Sequence, residues 1–218
     1  MLTKNQALSM LRLQAQMNAK VNPEWLTAGY RFLLAVVIEG AEAIEHHGWK
    51  WWKAQSKDMA QLQMELIDIW HFTLSAVLVA NDGDLDVSAD DLMTRSLSAP
   101  VVEFDGDAYV ISRLDTVSKL EFLIGLSVAR RISLPLFEAL LHDCGMTWGD
   151  LYRQYVGKNV LNFFRQDNGY KDGTYRKEWD GREDNEHLVE ILAELDADDV
   201  EFRDRLYSKL AERYVATA

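Results

Sequence analysis

The sequence predicts an all-α protein, a helical bundle formed by a single domain over residues 1–218. Apolar residues recur at intervals of three and four along most of the chain, which is the spacing of one helix face. Only 3 residues are proline, so few positions interrupt such helices. An apolar content of 48% with 27% charged residues is typical of a globular protein, and the length allows one sizeable core.

Three helices are predicted in the first part of the chain. The first carries an apolar stripe over residues 8–17, and the second follows Asn22-Pro23 directly and continues through Ile44. The third runs over roughly residues 58–81 by the same periodicity. The stretch at about 82–114 is polar and rich in turn residues, so we expect a variable connection there, with room for short helices.

Capping residues mark the helices of the second half. Asp115 is placed to cap a long apolar helix, and residues 133–135 predict another helix with proline at its first position. Residues 147–150 have the outline of a capping box, which predicts a helix that ends at Asn168-Gly169. A basic, glycine-containing loop follows, and charged amphipathic helices are expected from about Glu186.

The overall charge bears on possible partners. Lys and Arg total 23 against 35 Asp and Glu, and the net charge of −12 repels nucleic-acid phosphates and anionic membranes. The uncharged apolar run at 32–38 is too short to cross a bilayer. We therefore expect neither a nucleic-acid nor a membrane partner. The single Cys144 excludes an internal disulfide and is typical of a reducing compartment, so a cytoplasmic location is expected.

Two acidic pairs, Glu39-x-x-Glu42 and Glu65-x-x-Asp68, lie inside apolar helical segments. Residues three apart share one helix face, and the 22 residues between Glu42 and Glu65 allow the two helices to pack and converge four carboxylates. Such pairs also occur on solvated helix faces, but there the flanking residues are polar. Buried carboxylates need a cation, and because every ligand is an oxygen, Mg²⁺ is the expected metal.

A basic stripe follows later in the chain. Lys158, Asn162 and Arg165 are spaced at i, i+4 and i+7 on one predicted helix, and the next loop adds Tyr170 and Lys171. Lys and Arg suit phosphate oxygens, and Asn suits a phosphate or a sugar hydroxyl. The alternative is a solvated face whose cations pair with the surplus acids. Together with the acidic pairs, the stripe is typical of metal-assisted phosphoanhydride cleavage.

Aromatic and amide side chains are candidates for a nucleobase pocket. Three tryptophans fall within residues 49–52, which form either a wall of such a pocket or a Trp-rich edge of the core. Gln14 and Asn18, four apart on the first helix, can read a base edge or be exposed polar residues. His71 stands on the helix of the second acidic pair, as a hydrogen-bonded core residue or a group that supports the site.

Five segments carry the motifs of one known family: residues 10–14 (MLRLQ), 39–42 (EGAE), 49–53 (WKWWK), 65–72 (ELIDIWHF) and 157–175 (GKNVLNFFRQDNGYKDGTY). On these segments the chain resembles the dimeric, all-α dUTPases of the all-α NTP pyrophosphatase superfamily. The acidic residues alone indicate only the superfamily, which also includes MazG-like and dCTP-cleaving enzymes. The segment 157–175 is the specific part of the resemblance.

The resemblance implies a helical homodimer that hydrolyses dUTP to dUMP and diphosphate with Mg²⁺ and accepts dUDP as well. It implies three groups of site residues, carried over by position: the metal ligands Glu39, Glu42, Glu65 and Asp68; the phosphate and sugar ligands Lys158, Asn162, Arg165, Tyr170 and Lys171; and the base-binding residues Gln14, Asn18 and Trp49. Glu39 is the preferred general base, with Glu42 as the other candidate.

Two alternatives remain open at this point. The same chemistry on another nucleotide, such as dCTP, would use the acidic residues and a different base pocket. A protein of another class, in which a bound nucleotide switches the binding of a partner, would use the acidic surface and residues 82–114.

Overall fold

The computed structural model describes residues 1–195 and 202–216, and most of these residues are helical, as predicted. The helices are α1 (Lys4–Val21), α2 (Phe32–His47), α3 (Met59–Ala80), α4 (Leu85–Ser96), α5 (Thr116–Val128), α6 (Leu134–Asp143), α7 (Trp148–Asp167), α8 (Asp184–Glu194) and α9 (Phe202–Ala216). The short strands are β1 (Val101–Phe104), β2 (Asp107–Val110), β3 (Glu178–Trp179) and β4 (Arg182–Glu183).

Helix α3 is the centre of the core. It packs against α1, α2, α4 and α7, and Leu66, Ile69 and Trp70 are fully buried there. By length and composition alone α3 could also cross a membrane, but 72% of its most apolar window is buried inside the fold, as in the core helix of a globular protein. Glu65 and Asp68 therefore stand on the most enclosed helix of the fold.

The predicted helix starts are confirmed at three caps. The Asp115 side chain accepts a hydrogen bond from the Ser118 backbone and caps α5. Thr147 and Asp150 form the capping box of α7, which fixes the start of the helix that carries the basic stripe. Ser133 caps α6, but Pro135 takes the second helical position instead of the predicted first, because Leu134 precedes it.

The predicted start of the second helix is wrong. Helix α2 begins at Phe32, and residues between Asn22 and Tyr30 form turns. Asn22 is extended, as expected of a residue before proline, and Gly29 adopts a positive φ of 70°, which ends any helical path. Trp25 is 5% exposed and anchors this turn segment to the core.

Two β-hairpins were not predicted. Residues 82–114 hold α4, the hairpin β1–β2 and a short 3-10 turn, whereas only short helices were expected. The two hairpin turns are Asp105-Gly106 and Asp180-Gly181, and all four residues have positive φ, the geometry of a tight two-residue hairpin. The two Asp-Gly pairs, each preceded by an aromatic residue, were the available signal.

The predicted C-terminal helices are present as α8 and α9. Helix α9 packs on α7 through aromatic contacts, in which the Phe164 ring lies 5.3 Å from Tyr207 and 5.4 Å from Tyr214. This packing attaches the end of the chain to the helix of the basic stripe. The single domain over residues 1–218 stays a prediction, because residues 196–201 and 217–218 lie outside the described part of the chain.

Candidate active site

A cleft of about 860 Å³ opens beside α1, α2, α3 and α7, and the N-terminus of α8 closes one side of it. This volume is in the range that holds a nucleotide-sized ligand. The predicted site residues that line the cleft are Gln14, Asn18, Glu39, Glu42, Glu65, Asp68, Lys158, Asn162, Arg165 and Tyr170.

Three of the predicted carboxylates form a tight cluster. Carboxylate oxygens of Glu39, Glu42 and Glu65 all lie within 4.8 Å of one another, close enough to bind one metal ion. The cluster forms because α2, which carries Glu39 and Glu42, packs closely along α3, which carries Glu65. Gly40 allows the other side of α2 to approach α5, since a Cβ on it would lie 2.8 Å from Cγ1 of Ile124.

Burial and mutual repulsion raise the pKa values of Glu39 and Glu65. Glu65 is 7% exposed, and its pKa is raised to about 8 by burial first and then by the charges of Asp68 and Glu39. The pKa of Glu39 is also raised, by burial and by Asp68. A divalent cation would replace the repulsion with attraction. The oxygen donors and their spacing therefore fit a hard metal ion.

The fourth carboxylate has a different partner. Asp68 Oδ2 lies 2.8 Å from Nζ of Lys158, which is 2% exposed and also donates to Asn185 Oδ1 at 2.8 Å. Asp68 is therefore placed between the basic stripe of α7 and two carboxylates of the cluster, Glu39 and Glu65, whose pKa values it raises. The structure brings all four predicted metal ligands to one cleft, three of them in the cluster and Asp68 in an ion pair.

Arg165 is held by a buried two-pronged ion pair. Its Nε and Nη2 donate to the two oxygens of Asp184 at 2.8 and 2.7 Å, and Nη1 donates to Asn162 at 3.2 Å. Burial alone would raise the pKa of Asp184, but Arg165 and a hydrogen bond from Tyr175 lower it. The Tyr170 ring lies 5.8 Å from the guanidinium. The basic stripe is thus fixed before any ligand arrives.

Several residues that line the cleft or lie directly behind it were missed by the sequence analysis. Asp184 and Asn185 follow the second hairpin and fix Arg165 and Lys158. His46 lines the cleft with Nε2 3.5 Å from Glu65 Oε1. Its position four residues after Glu42 on the same helix was a usable signal. The role of Asp184 had no local signal, because its partner lies 19 residues earlier.

Two of the predicted site residues, Trp49 and Lys171, are not among the described residues that line the cleft. Trp49 donates from Nε1 to Glu45 at 2.7 Å, and Lys171 donates from Nζ to the Val21 carbonyl at 3.1 Å, at the rim. Trp51 is 84% exposed, so the tryptophan segment is a surface loop and not an edge of the core. Ligand contacts of Trp49 and Lys171 stay predictions.

Amide and hydroxyl groups occupy the α1 side of the cleft. Gln14 Nε2 donates to Asn18 at 3.0 Å and to Ser75 at 2.9 Å, and its oxygen lies 2.7 Å from Nδ1 of His71. Gln14 is 4% exposed and Asn18 9%, so neither is the exposed polar residue that was one alternative. The cleft therefore combines carboxylates, fixed cations and buried amides.

A family model described as dUTPase matches residues 6–170, more than half of the chain. The chain belongs to the all-α dUTPase family. This membership supports dUTP hydrolysis by the chain, that is, dUTP diphosphatase activity. Members of the family generally use a divalent metal. No curated protein matches the chain. The matched segment includes the four acidic residues and the stripe from Lys158 to Tyr170, and it ends before Asp184 and Asn185.

Proposed function

We propose that the chain is a Mg²⁺-dependent homodimeric enzyme that hydrolyses dUTP to dUMP and diphosphate, and dUDP to dUMP, which limits uracil incorporation into DNA and supplies dUMP. One observation carries the proposal: a carboxylate cluster and two fixed cations share one nucleotide-sized cleft. A nucleotide with a metal-bound phosphate chain brings the cation that the carboxylates lack, together with phosphate oxygens that suit the two cations.

Glu39, Glu42 and Glu65 would hold Mg²⁺, with Asp68 beside them. When bound, the ion supplies electrostatic stabilisation of the phosphate oxygens and lowers the pKa of a coordinated water. Glu39 would accept the proton of the attacking water, since burial raises its pKa toward neutrality and makes its carboxylate a stronger base. Glu42 is the exposed member of the cluster and the other candidate.

The basic stripe would bind the phosphate chain and stabilise the charge that develops on the leaving diphosphate. Lys158 and Arg165 are already oriented by carboxylates and by Asn185, so little side-chain entropy is lost when phosphate binds. Asn162 and Tyr170 lie on the same side of the cleft and would contact the sugar and phosphates. Lys171 and Trp49 would approach from the rim.

A dimer interface on α2 is supported by its composition. Of the 16 residues of this strongly apolar helix, only Val36, Gly40 and Ala43 are buried. Leu34 is 44% exposed and Ile38 51%, and they share one face with a spacing of four. An exposed apolar stripe on an otherwise acidic chain favours a second copy as its partner.

No nucleic acid or membrane takes part in the proposed function, and the enzyme would act in the cytoplasm. The net charge of −12 supports the first statement, and the burial of Cys144 is consistent with the second. A salt-dependent association with DNA or with anionic vesicles would contradict the proposal.

The test is phosphate and diphosphate release from dUTP, dUDP, dCTP and dTTP, each with Mg²⁺ and with EDTA. Metal-dependent cleavage confined to the uracil nucleotides is expected. Cleavage of dCTP in place of dUTP would keep the acidic cluster and overturn the base assignment. An absence of cleavage, with nucleotide-dependent capture of a partner, would favour the switch protein over the enzyme.

A further inference from the structure

His71 has one ring nitrogen with a partner and one without. The residue lies on α3, lines the cleft and is 4% exposed. Nδ1 is 2.7 Å from Gln14 Oε1, whereas Nε2 is buried and has no hydrogen-bond partner among the described residues. Buried polar atoms are nearly always paired, so an unpartnered ring nitrogen on a residue that lines the cleft points to a ligand group.

Ser75 fixes the orientation of the two neighbouring amides. Its hydroxyl carries a single hydrogen, which it donates to the His71 carbonyl at 3.0 Å. The oxygen must therefore accept from both Gln14 Nε2 at 2.9 Å and Asn18 Nδ2 at 3.0 Å. Rotating either amide by 180° would turn an amide oxygen toward Ser75, which would then have to withdraw its hydrogen from the His71 carbonyl. A rotated Gln14 would also bring its oxygen against the Asn18 oxygen that now accepts from it at 3.0 Å.

This orientation decides the tautomer of His71. The Gln14 oxygen that faces the ring can only accept, so Nδ1 carries the hydrogen. Burial lowers the pKa of His71 to about 3, so the ring is neutral at physiological pH and Nε2 is a bare acceptor. The ring also stacks on Tyr155 with centroids 4.2 Å apart, which holds its plane.

We propose that Nε2 of His71 accepts the imino N3–H of the uracil ring and thereby rejects cytosine. The inference rests on the proposed function and adds the residue that determines base specificity. Cytosine has a lone pair at N3 where uracil has a hydrogen, so two lone pairs would face each other in the complex. Thymine keeps the imino hydrogen, so His71 does not separate dUTP from dTTP.

Gln14 then acts as a positioning residue. Both hydrogens of its amide are engaged by Asn18 and Ser75, and its oxygen faces His71. The Tyr155 hydroxyl lies 2.9 Å from the same oxygen and 3.0 Å from the Met10 carbonyl, and its one hydrogen serves one of the two. It has no hydrogen left for a base. Asn18 donates one of its two amide hydrogens to Ser75, which leaves the other for a base carbonyl.

The substitution test uses two variants of similar size. In His71→Asn the amide can still donate to Gln14, but the acceptor at Nε2 is lost. In His71→Gln the longer side chain can place an oxygen near the Nε2 position. The measurement is kcat/KM with Mg²⁺ for dUTP, dTTP, dCTP and N3-methyl-dUTP, which lacks the imino hydrogen.

We expect the wild type to prefer dUTP over dCTP and over N3-methyl-dUTP by about 10⁴-fold, as a site built around a hydrogen bond does. In His71→Asn both preferences should fall to roughly 10-fold or less, with partial recovery in His71→Gln. The dUTP to dTTP ratio should stay unchanged in both variants, which a general loss of structure would not produce. Unchanged dUTP to dCTP preference in an active His71→Asn variant overturns the inference and leaves the proposed function intact.

A second measurement needs no substitution and no turnover. Nitrogen-15 NMR of the histidine side chains in the wild-type protein is expected to show His71 with the hydrogen on Nδ1, and addition of dUMP should shift the Nε2 resonance toward that of a hydrogen-bonded acceptor. A hydrogen on Nε2, or an Nε2 resonance that dUMP does not move, overturns the inference. Failure of the wild type to cleave any uracil nucleotide would instead overturn the proposed function.

Discussion

The cleft has an acidic wall, formed by the carboxylates of α2 and α3, and a basic wall, formed by Lys158 and Arg165 of α7. Both walls bury charged groups, but they stabilise them in different ways. On the basic wall each buried cation has a carboxylate partner, as Lys158 has Asp68 and Arg165 has Asp184. On the acidic wall Glu39 and Glu65 face each other, and both have raised pKa values. The basic wall is therefore complete in the free chain, whereas the acidic wall is stabilised only when a cation joins it.

The largest expected effect is on turnover from the acidic wall. Glu39→Gln and Asp68→Asn should each lower kcat for dUTP by about 10³-fold or more while the fold is retained. Glu39 is the proposed general base, a role that alone contributes about 10²–10⁴-fold, and Asp68 stands between the metal ligands and Lys158. Steady-state kinetics and circular dichroism measure the two quantities. Glu121→Gln, on the exposed face of α5, is the matched control and should have wild-type activity. Normal turnover in either site variant would remove that residue from the mechanism.

The next largest effect is a loss of stability when the groups that hold Arg165 in the basic wall are removed. Asp184→Asn leaves the buried Arg165 without its charged partner, and we expect the free energy of unfolding to fall by about 3 kcal/mol. Tyr175→Phe removes one hydrogen bond to the same carboxylate and should cost about 1 kcal/mol. Chemical denaturation measures the free energy of unfolding of each variant and so compares the two losses. Equal losses in the two variants would show that the ion pair is not the main contribution.

Glu65→Gln should raise the stability of the metal-free protein, whereas the two substitutions in the basic wall lower it. The raised pKa, about 8 against an ordinary value of 4.5, means that folded Glu65 keeps its proton where the unfolded chain has lost it. The stability of the metal-free protein therefore falls as pH rises from about 4.5 to 8. Glutamine removes that dependence, so the variant should melt at least about 2 °C higher at pH 8 without metal. A lower melting temperature at pH 8 would contradict the repulsion in the acidic wall.

The smallest effect on catalysis is expected from a substitution outside both walls, on the exposed stripe of α2. Leu34→Glu places a charge on the exposed stripe of α2 and should convert the proposed dimer to a monomer, as measured by analytical ultracentrifugation. Val215→Glu, at a site that is 71% exposed on α9, is the control and should leave the mass unchanged. A dimeric Leu34→Glu variant would locate the interface elsewhere.

The sequence predicted the acidic wall well because its signals are local. The spacing of Glu39 with Glu42, and of Glu65 with Asp68, sets one face on each helix whatever the rest of the chain does. The capping box of Thr147 and Asp150 was readable for the same reason. The choice of partners is not local, since the pairing of Asp68 with Lys158 joins residues on two distant helices.

The missed features share this long-range character or a weak local signal. Asp184 and Asn185 gain their roles from residues more than 15 positions away, and nothing in their own neighbourhood marks them. The late start of α2 follows from the turn at Gly29 and from the burial of Trp25, neither of which periodicity reports. The hairpin at Asp105-Gly106 did have a local turn signal, but the polar surroundings favoured a loop.

The most direct test of the two-wall account is calorimetric binding of α,β-imido-dUTP, a non-hydrolysable analogue, with Mg²⁺ and with EDTA. If the nucleotide joins a finished basic wall to an acidic wall that needs a cation, Mg²⁺ should tighten binding by at least about 10-fold, and the nucleotide should tighten Mg²⁺ binding by the same factor. Equal affinity with Mg²⁺ and with EDTA would contradict the account.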